Sequence, residues 1–567
     1  MTPDTPLDRW GRGWRGPLLA ALLALIAALP GVVAVPPIDR DESRFAEASA
    51  QMLETGDGVS IHFQQTPRFK KPVGIYWLQA AAVKAVSQVE DRAIWAYRIP
   101  SLLGAMLAAA ACAWGAAAFL RPGPALIAGA LLGGGFMLST EAGIAATDAV
   151  VCGATTLAMA ALGRLYLASH GTVRAGRLTQ ALFWGALALS ILVKGPIGPM
   201  VVVLATAALC LWDRRAGWVG NLGWGWGLIG LAAALGPWAL AITVATDGAF
   251  WGAAVGGDLA PKLAGDAEGH GAPPGFYLLL APVLLFPAAV LLPGGAVAAW
   301  RARSEPAVRF ALCWLIPSWL VFEAAPTKLI HYTLPLYGAL AWLMARGLQP
   351  VGAGPPPAEG TFGRGLGAML NLIVAVVFAA AGPVAMSRLG DWSGAPWAVL
   401  AAVLFLFAGV AGAGLLWRRQ APRAAAVAVA AAALGHGALA GGVVPALRPL
   451  WLSSAAARGL ADAGVSPWQG VVPGPVTVAG YAEPSLVFLL GADTELAGAD
   501  EAADAIAGGR PAIVEGRQEI AFQAALAADG ATARLIGTVR GLDYSNGRAD
   551  ILRLYRPPPN PEPRRRP

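Results

Sequence analysis

The chain has 567 residues, of which 56% are hydrophobic and 13% charged, and its mean hydropathy of +0.58 lies far outside the range of soluble domains. Its net charge of +7 does not mark a nucleic-acid partner, because the arginines stand in short clusters between apolar runs, as membrane-orientation signals do. Cys112, Cys152, Cys210 and Cys313 all fall inside apolar runs without metal-ligand spacing, so neither a disulfide framework nor a zinc cluster follows.

Arg9, Arg12 and Arg15 precede an apolar run from about Pro17 to Pro36, long enough to cross a hydrocarbon core of roughly 30 Å. The run lacks a clear small-x-small cleavage site and reads as an uncleaved first span. Next comes a polar stretch, DRDESRFAEASAQMLETGDGVSIHFQQTPRFKKPVGIYWLQ, from Asp39 to Gln79. It predicts a short amphipathic helix with Phe45, Ala48, Met52 and Leu53 on one face, Asp41 at its start and Gly56 as its C-terminal cap. A second helix is expected to open at Pro72, where the missing N–H costs nothing. Lys70 and Lys71 then stand just before a helix N-terminus, where free N–H groups and the helix dipole favour a phosphate. Plainer readings stand beside these: Asp41 as a helix cap, and the lysines as anchors snorkelling to the headgroups.

Apolar runs recur at about 93–120, 123–140, 147–168, 180–194, 196–212, 219–245, 273–300, 307–323, 329–346, 365–386, 395–417 and 424–445, which predicts about thirteen spans in all. Basic residues concentrate in alternate loops, at Arg121, Arg174 and Arg177, Arg214 and Arg215, Arg301, Arg303 and Arg309, Arg346 and Arg364, and Arg418, Arg419 and Arg423. That pattern puts the N-terminus inside and both the Asp39 stretch and the C-terminal part outside. The outer side then gathers Asp41, Lys70, Lys71, Glu141, Asp148, Lys194, a loop with Asp258, Lys262, Asp266, Glu268 and His270, and finally Lys328, His331 and Tyr332. Ionisable groups at spans are costly, so a cluster at one depth is a candidate site. Singly, Asp148 would also suit the start of its span and Lys194 the end of its own, while His331 would serve as a satisfied interface histidine.

Beyond residue 446 the pattern changes. Val476–Tyr481 and Pro511–Gly516 read as strands, Asp500–Ala507 and Gln518–Ala528 as helices, and two strand-like runs close the chain around Asp543–Gly547. The expected organisation is a polytopic α-helical membrane domain over 1–445, with 37–92 as its first external loop. A small α/β domain over 446–556 and a disordered Pro/Arg-rich tail over 557–567 complete it.

External carboxylates and lysines beside a bilayer suit chemistry on a lipid-linked anionic substrate, with lysine holding the phosphate and a carboxylate handling the acceptor. No nucleotide loop or dinucleotide fingerprint is present. The run DESRFAEASAQMLETGD followed by FKKPVGIYW resembles the first external loop of the family 39/83 glycosyltransferases, the GT-C group that includes protein O-mannosyltransferases and the lipid A aminoarabinose transferases. The likeness continues through ATDAV with Asp148, LVKGP with Lys194 and PTKLIHYTLPLY with Lys328 and Tyr332, covering about 37–346. AGYAEPSLVFLLG and LDYSNGRADILRLYR look like the external tails of bacterial members.

The resemblance implies an inverting transferase that takes a sugar from a polyprenyl-phosphate donor and acts at the periplasmic face of the bacterial inner membrane, on lipid A or another envelope glycan or protein. It implies Asp41 at the active site and Lys71 as the donor-phosphate contact; within the outer-side cluster Asp148 is a second catalytic candidate, and Lys70, Lys194, Lys328 and Tyr332 are candidates for further phosphate contacts. Glu42, Arg44, His331, Glu268 and His270 are candidate acceptor or loop contacts. Aminoarabinose transferases carry a glutamate before the lysine, which helps a loop histidine bind a metal. Here Lys70 takes that place, so no cofactor is expected and a divalent metal is in doubt. A flippase for lipid-linked sugar would need charges at mid-span, of which there are few. A docking subunit would account for the C-terminal module but not for the Asp41–Lys71 segment.

Overall fold

Long apolar runs with few charges fold as helices because a helix satisfies its own backbone groups where no water is present. A computed structural model describes residues 5–259, 271–469 and 474–558. A short helix α1 (Pro6–Trp10) leads to the apolar helix α2 (Arg15–Ala34). The polar stretch then folds as α3 (Asp41–Thr55), a minimal antiparallel pair β1 (His62–Phe63) and β2 (Thr66–Pro67), and α4 (Gly74–Val86). Helices α5 (Ile94–Ala116), α6 (Pro122–Gly133), α7 (Phe136–Ala142), α8 (Asp148–Ser169), α9 (Arg177–Lys194), α10 (Ile197–Asp213) and α11 (Trp224–Ala245) follow. Later long helices run over Pro306–Ala324, Thr361–Leu389, Ala395–Trp417 and Ala421–Ala446.

Among the described residues, eight helices are long and apolar enough to cross a membrane, or nine if α6 and α7, bent by 56°, form one broken span. The chain is thus a multi-pass membrane protein. The thirteen apolar runs exceed that number because some hold short or interrupted helices, such as α10, Leu292–Arg301 and Tyr337–Arg346.

The polar stretch is the part that positions a site. In α3, Gly56 takes φ 73° at the C-terminus, the left-handed conformation open to glycine. Phe45, Ala48 and Met52 join one hydrophobic cluster with Ile75 and Tyr76 of α4, Val150 and Val151 of α8, and Val193 of α9. The opposite face is buried as well: Ala46 and Ala50 pack with Val83, Tyr97 and Phe488 of the C-terminal part. Helix α4 begins at Gly74, two residues after the expected Pro72, with Val73 at its N-cap position. A Cβ on Gly74 would come within 2.7 Å of the Leu192 carbonyl, so glycine is what lets α4 close on the end of α9.

Glu42 and Arg98 lock this region together. Arg98 is wholly buried in α5 and donates from Nε and Nη2 to the two carboxylate oxygens of Glu42, each at 2.7 Å. Its remaining N–H groups reach the carbonyls of Val32, Val35 and Pro36, at 3.1, 2.6 and 3.0 Å, where α2 ends. All five guanidinium donors are thereby used. Glu42 also accepts the backbone N–H groups of Ile38 at 2.8 Å and Ala145 at 2.7 Å.

The C-terminal part forms a five-stranded sheet of order β4-β3-β5-β7-β6, from β3 (Thr477–Ala479), β4 (Glu495–Ala497), β5 (Ala512–Glu515), β6 (Arg534–Asp543) and β7 (Arg548–Arg556). Helix Pro484–Leu490 connects β3 to its parallel neighbour β4, and helix Ala499–Ala507 leads from β4 to β5. The hairpin β6–β7 completes the sheet antiparallel to β5. Residues 559–567, most of the expected tail, lie outside the described residues.

Replacing Arg98 with methionine strands the Glu42 carboxylate in a dry site, for which the expected cost is about 3–5 kcal/mol. Thermal unfolding in detergent should show a large drop in midpoint for Arg98→Met and little change for a surface control such as Arg423→Met.

Candidate active site

Asp41 is the first residue of α3, and its side chain is 74% exposed. It makes no capping hydrogen bond; Arg40 occupies the N-cap position with φ 64° and ψ −107°. The cap reading of Asp41 therefore lacks its defining contact. Two guanidinium groups face its carboxylate, Arg44 and Arg68, each with a nitrogen 4.0 Å from Oδ1. Arg68 is mostly buried, lies 5.0 Å over the Phe45 ring, and has no hydrogen-bond partner for its Nε among the described residues. Its cation belongs to the run Arg68-Phe69-Lys70-Lys71, and the basic spacing there was the signal that could have singled it out.

Lys70 is exposed, and its carbonyl accepts from Lys71 Nζ at 3.0 Å. Both lysines precede α4, whose first turn packs against the end of α9 and so lies beside Lys194. Glu42, a candidate acceptor contact from sequence, is corrected: its carboxylate is buried and all its lone-pair directions are filled by Arg98, Ile38 and Ala145, which makes it a structural tie. Lys328, placed by sequence among the phosphate contacts, is also buried, and its ammonium donates to the carbonyls of Ala272 and Ala325 at 2.9 and 2.7 Å. It pins two loops to each other. Glu268 and His270 lie outside the described residues.

A second group gathers where α8 begins and α9 ends. Lys194 Nζ donates to Asp148 Oδ1 at 2.5 Å, and His331 Nε2 lies 3.6 Å from the same oxygen. His331 Nδ1 lies 3.4 Å from Glu141 Oε1. Tyr332 stacks edge-on against His331, with Lys194 5.8 Å from its ring. Two acids are thus matched by a lysine and a histidine, and Asp148 is committed to partners in a way that Asp41 is not. The cluster that joins Phe45 and Tyr76 to Val150 and Val193 holds the two groups at the same end of the helices.

The metal implied by the family resemblance meets a misfit here. An ammonium at Lys70 stands where the resemblance implies an acidic ligand.

The membrane fold that carries this geometry has solved counterparts. The chain superposes on the crystal structure of ArnT from Cupriavidus metallidurans bound to undecaprenyl phosphate with a TM-score of 0.75, covering 94% of this chain and 97% of that one at 19% identity. Against the apo form the TM-score is 0.72. In sequence it resembles the bacterial aminoarabinose transferases. It is 32% identical over 311 residues to the undecaprenyl phosphate-alpha-4-amino-4-deoxy-L-arabinose arabinosyl transferase of Pseudomonas paraeruginosa, over 54% of this chain and 55% of that one. The protein of the same name in Pectobacterium atrosepticum is 30% identical over 322 residues, 55% of each chain. The chain spans about half the length of the curated relatives it matches. No protein-family model matches it.

Burial alone would lower the pKa of His331, but the carboxylates of Asp148 and Glu141 outweigh it and hold the imidazole above its ordinary 6.5. A group whose folded pKa is raised stabilises fully below its unfolded pKa, and that stability is lost as pH rises through the folded value. The unfolding midpoint should therefore fall as pH is raised from 6.5 through the raised folded value. His331→Gln should flatten that part of the profile in thermal scans across pH.

Proposed function

We propose that this chain is an inverting glycosyltransferase that moves a sugar from a polyprenyl-phosphate donor to an acceptor at the periplasmic face of the bacterial inner membrane, such as lipid A. The observation that carries it is the contrast between an exposed carboxylate, Asp41, flanked by Arg44 and Arg68, and a self-neutralised group around Asp148. The family likeness in the Asp41–Lys71 segment and the fold shared with a protein crystallised on undecaprenyl phosphate support the same reading. The alternate arginine clusters support the orientation. In this scheme residues 1–445 carry the chemistry and 446–556 form a periplasmic domain.

The acceptor oxygen attacks the anomeric carbon of the sugar from the face opposite the lipid phosphate. The bond from that carbon to the phosphate oxygen breaks, and its electron pair leaves with the polyprenyl phosphate. Lys71 stabilises the charge that grows there, helped by the positive end of the α4 dipole. Lys70, Lys194 and Tyr332 line the same end of the helices as secondary contacts. Where the acceptor is a hydroxyl, its proton passes to Asp41. Where it is a phosphate, no such proton exists, and Arg44 and Arg68 offset its charge while Asp41 orients it. Asp148, held by Lys194 and His331, keeps that lysine in place.

Purified protein supplied with undecaprenyl phosphate-aminoarabinose and lipid A should yield modified lipid A by mass spectrometry. Asp41→Asn should lose about a hundredfold in rate toward a hydroxyl acceptor, the low end for removal of a general base, and less toward a phosphate, with an unchanged unfolding midpoint because the side chain is exposed. Lys71→Ala should abolish transfer and weaken binding of the donor. Normal turnover by both variants would sink this reading.

A further inference from the structure

Asp39 and Arg40 lead directly into Asp41, and both are gripped by the C-terminal sheet domain, 505 positions further along the chain. The backbone N–H of Asp39 donates to Tyr544 Oη at 2.7 Å, and its Oδ1 accepts the backbone N–H of Ser485 at 3.1 Å. Arg40 Nη2 donates to the Ser545 carbonyl at 2.6 Å. The β6–β7 turn that presents Tyr544 and Ser545 is itself fixed. Asp543 accepts from the Ser545 N–H at 3.0 Å and from Asn546 Nδ2 at 2.7 Å, while Ser545 Oγ donates to Glu483 at 3.0 Å. Burial, followed by the charges of Asp39 and Asp543, pushes Glu483 up to about 7, so this contact is made at the expense of crowding three carboxylates.

The residue in the grip has φ 64° and ψ −107°, a left-handed backbone conformation that a side chain disfavours. Such a conformation persists only where its surroundings over-determine it, and it characteristically sits at functional sites. With Glu42 holding the first turn of α3, a release of Arg40 toward an ordinary conformation would loosen the backbone at Asp41, where the turn begins.

We infer that the C-terminal domain is a positioning device for the active site, in which Tyr544, Ser485 and the Ser545 carbonyl fix Asp39 and Arg40 so that the Asp41 carboxylate meets the acceptor. This rests on the catalytic reading of Asp41. Tyr544 and Arg40 are positioning residues; they act on the reaction through the backbone that carries Asp41. The ring of Tyr544 packs edge-on near Trp451, at 6.5 Å between centroids, so phenylalanine keeps the packing and removes only the hydroxyl.

The test uses the full-length protein with undecaprenyl phosphate-aminoarabinose and lipid A as probes, and compares Tyr544→Phe and Arg40→Ala with Asp41→Asn. Each positioning variant should lower kcat about tenfold or more, the scale on which small misplacements act, with KM for the donor and the unfolding midpoint unchanged. In an Asp41→Asn background neither should cost anything further, because residues acting as a unit are not additive. Wild-type kcat in both variants overturns the inference, as does an undiminished loss in the Asp41→Asn background or a loss explained wholly by KM or by unfolding. Failure of the catalytic reading is seen separately, as normal turnover of the Asp41→Asn single variant.

Discussion

A guanidinium and a carboxylate taken wholly out of water must find partners for every donor and acceptor, or the cost of burying them is not recovered. Arg98 and Glu42 meet that demand by reaching four parts of the chain at once: the end of α2, the body of α5, the loop before α8 and the first turn of α3. The arginine also supplies donors to carbonyls that α2 leaves unpaired at its C-terminus, where a cation is favoured. Each fixed bond removes a freedom of the segment between residues 36 and 42. Asp41, next in sequence to Glu42, is therefore placed by a buried network although its own side chain stands in solvent.

Charge at this end of the helices divides into two kinds. Around Asp148 the acids and bases answer one another within 2.5–3.6 Å, which leaves a compact group with little charge to offer. Around Asp41 the arginines stop at 4.0 Å, too far for hydrogen bonds, so carboxylate and cations remain available to a third party. The transfer proposed for this site, between an anionic lipid and a polar acceptor, calls for both kinds. On the proposed reading the neutral group keeps Lys194 and His331 ordered, and the open group meets the reactants. Such a division favours chemistry at one membrane face over a translocation path, which would distribute its polar groups along the depth of the bundle.

Local pattern made much of this legible. The apolar spacing of Phe45, Ala48 and Met52, the stop at Gly56 and the strand-like runs of the C-terminal part were readable because they depend on neighbours a few residues away. What escaped depends on distant partners. Glu42 stands beside Asp41 in the same motif, and only Arg98, 56 residues on, shows that it turns inward. Lys328 looks like a ligand contact until Ala272 supplies the carbonyl that holds it. Arg68 was passed over for the two lysines after it, yet it is the cation that faces Asp41. The start of α4 slipped from Pro72 to Gly74 because close packing on Leu192, rather than the proline, decides where the helix can begin. The short strand β4 and helix Pro484–Leu490 left no clear pattern, being too brief for periodicity to build up.

Arg40 joins these two levels of organisation. On one side the network of Glu42 and Arg98 anchors α3 to the membrane helices, and on the other Tyr544, Ser485 and Ser545 anchor Asp39 and the Arg40 guanidinium to the sheet domain. A strained residue between two anchors cannot relax without breaking one of them. Further along α3 the same arrangement is repeated by Arg92, which bonds Glu47 and Glu54 while stacking on Trp468 and Phe488. The sheet domain is thus joined to the start of α3 by the hydrogen bonds of Asp39 and Arg40, and further along by Arg92 and the packing of Phe488 on Ala46 and Ala50. The polar stretch between α2 and α5 has its conformation set by both parts of the protein, and neither the membrane helices nor the sheet domain alone contains the information that places Asp41.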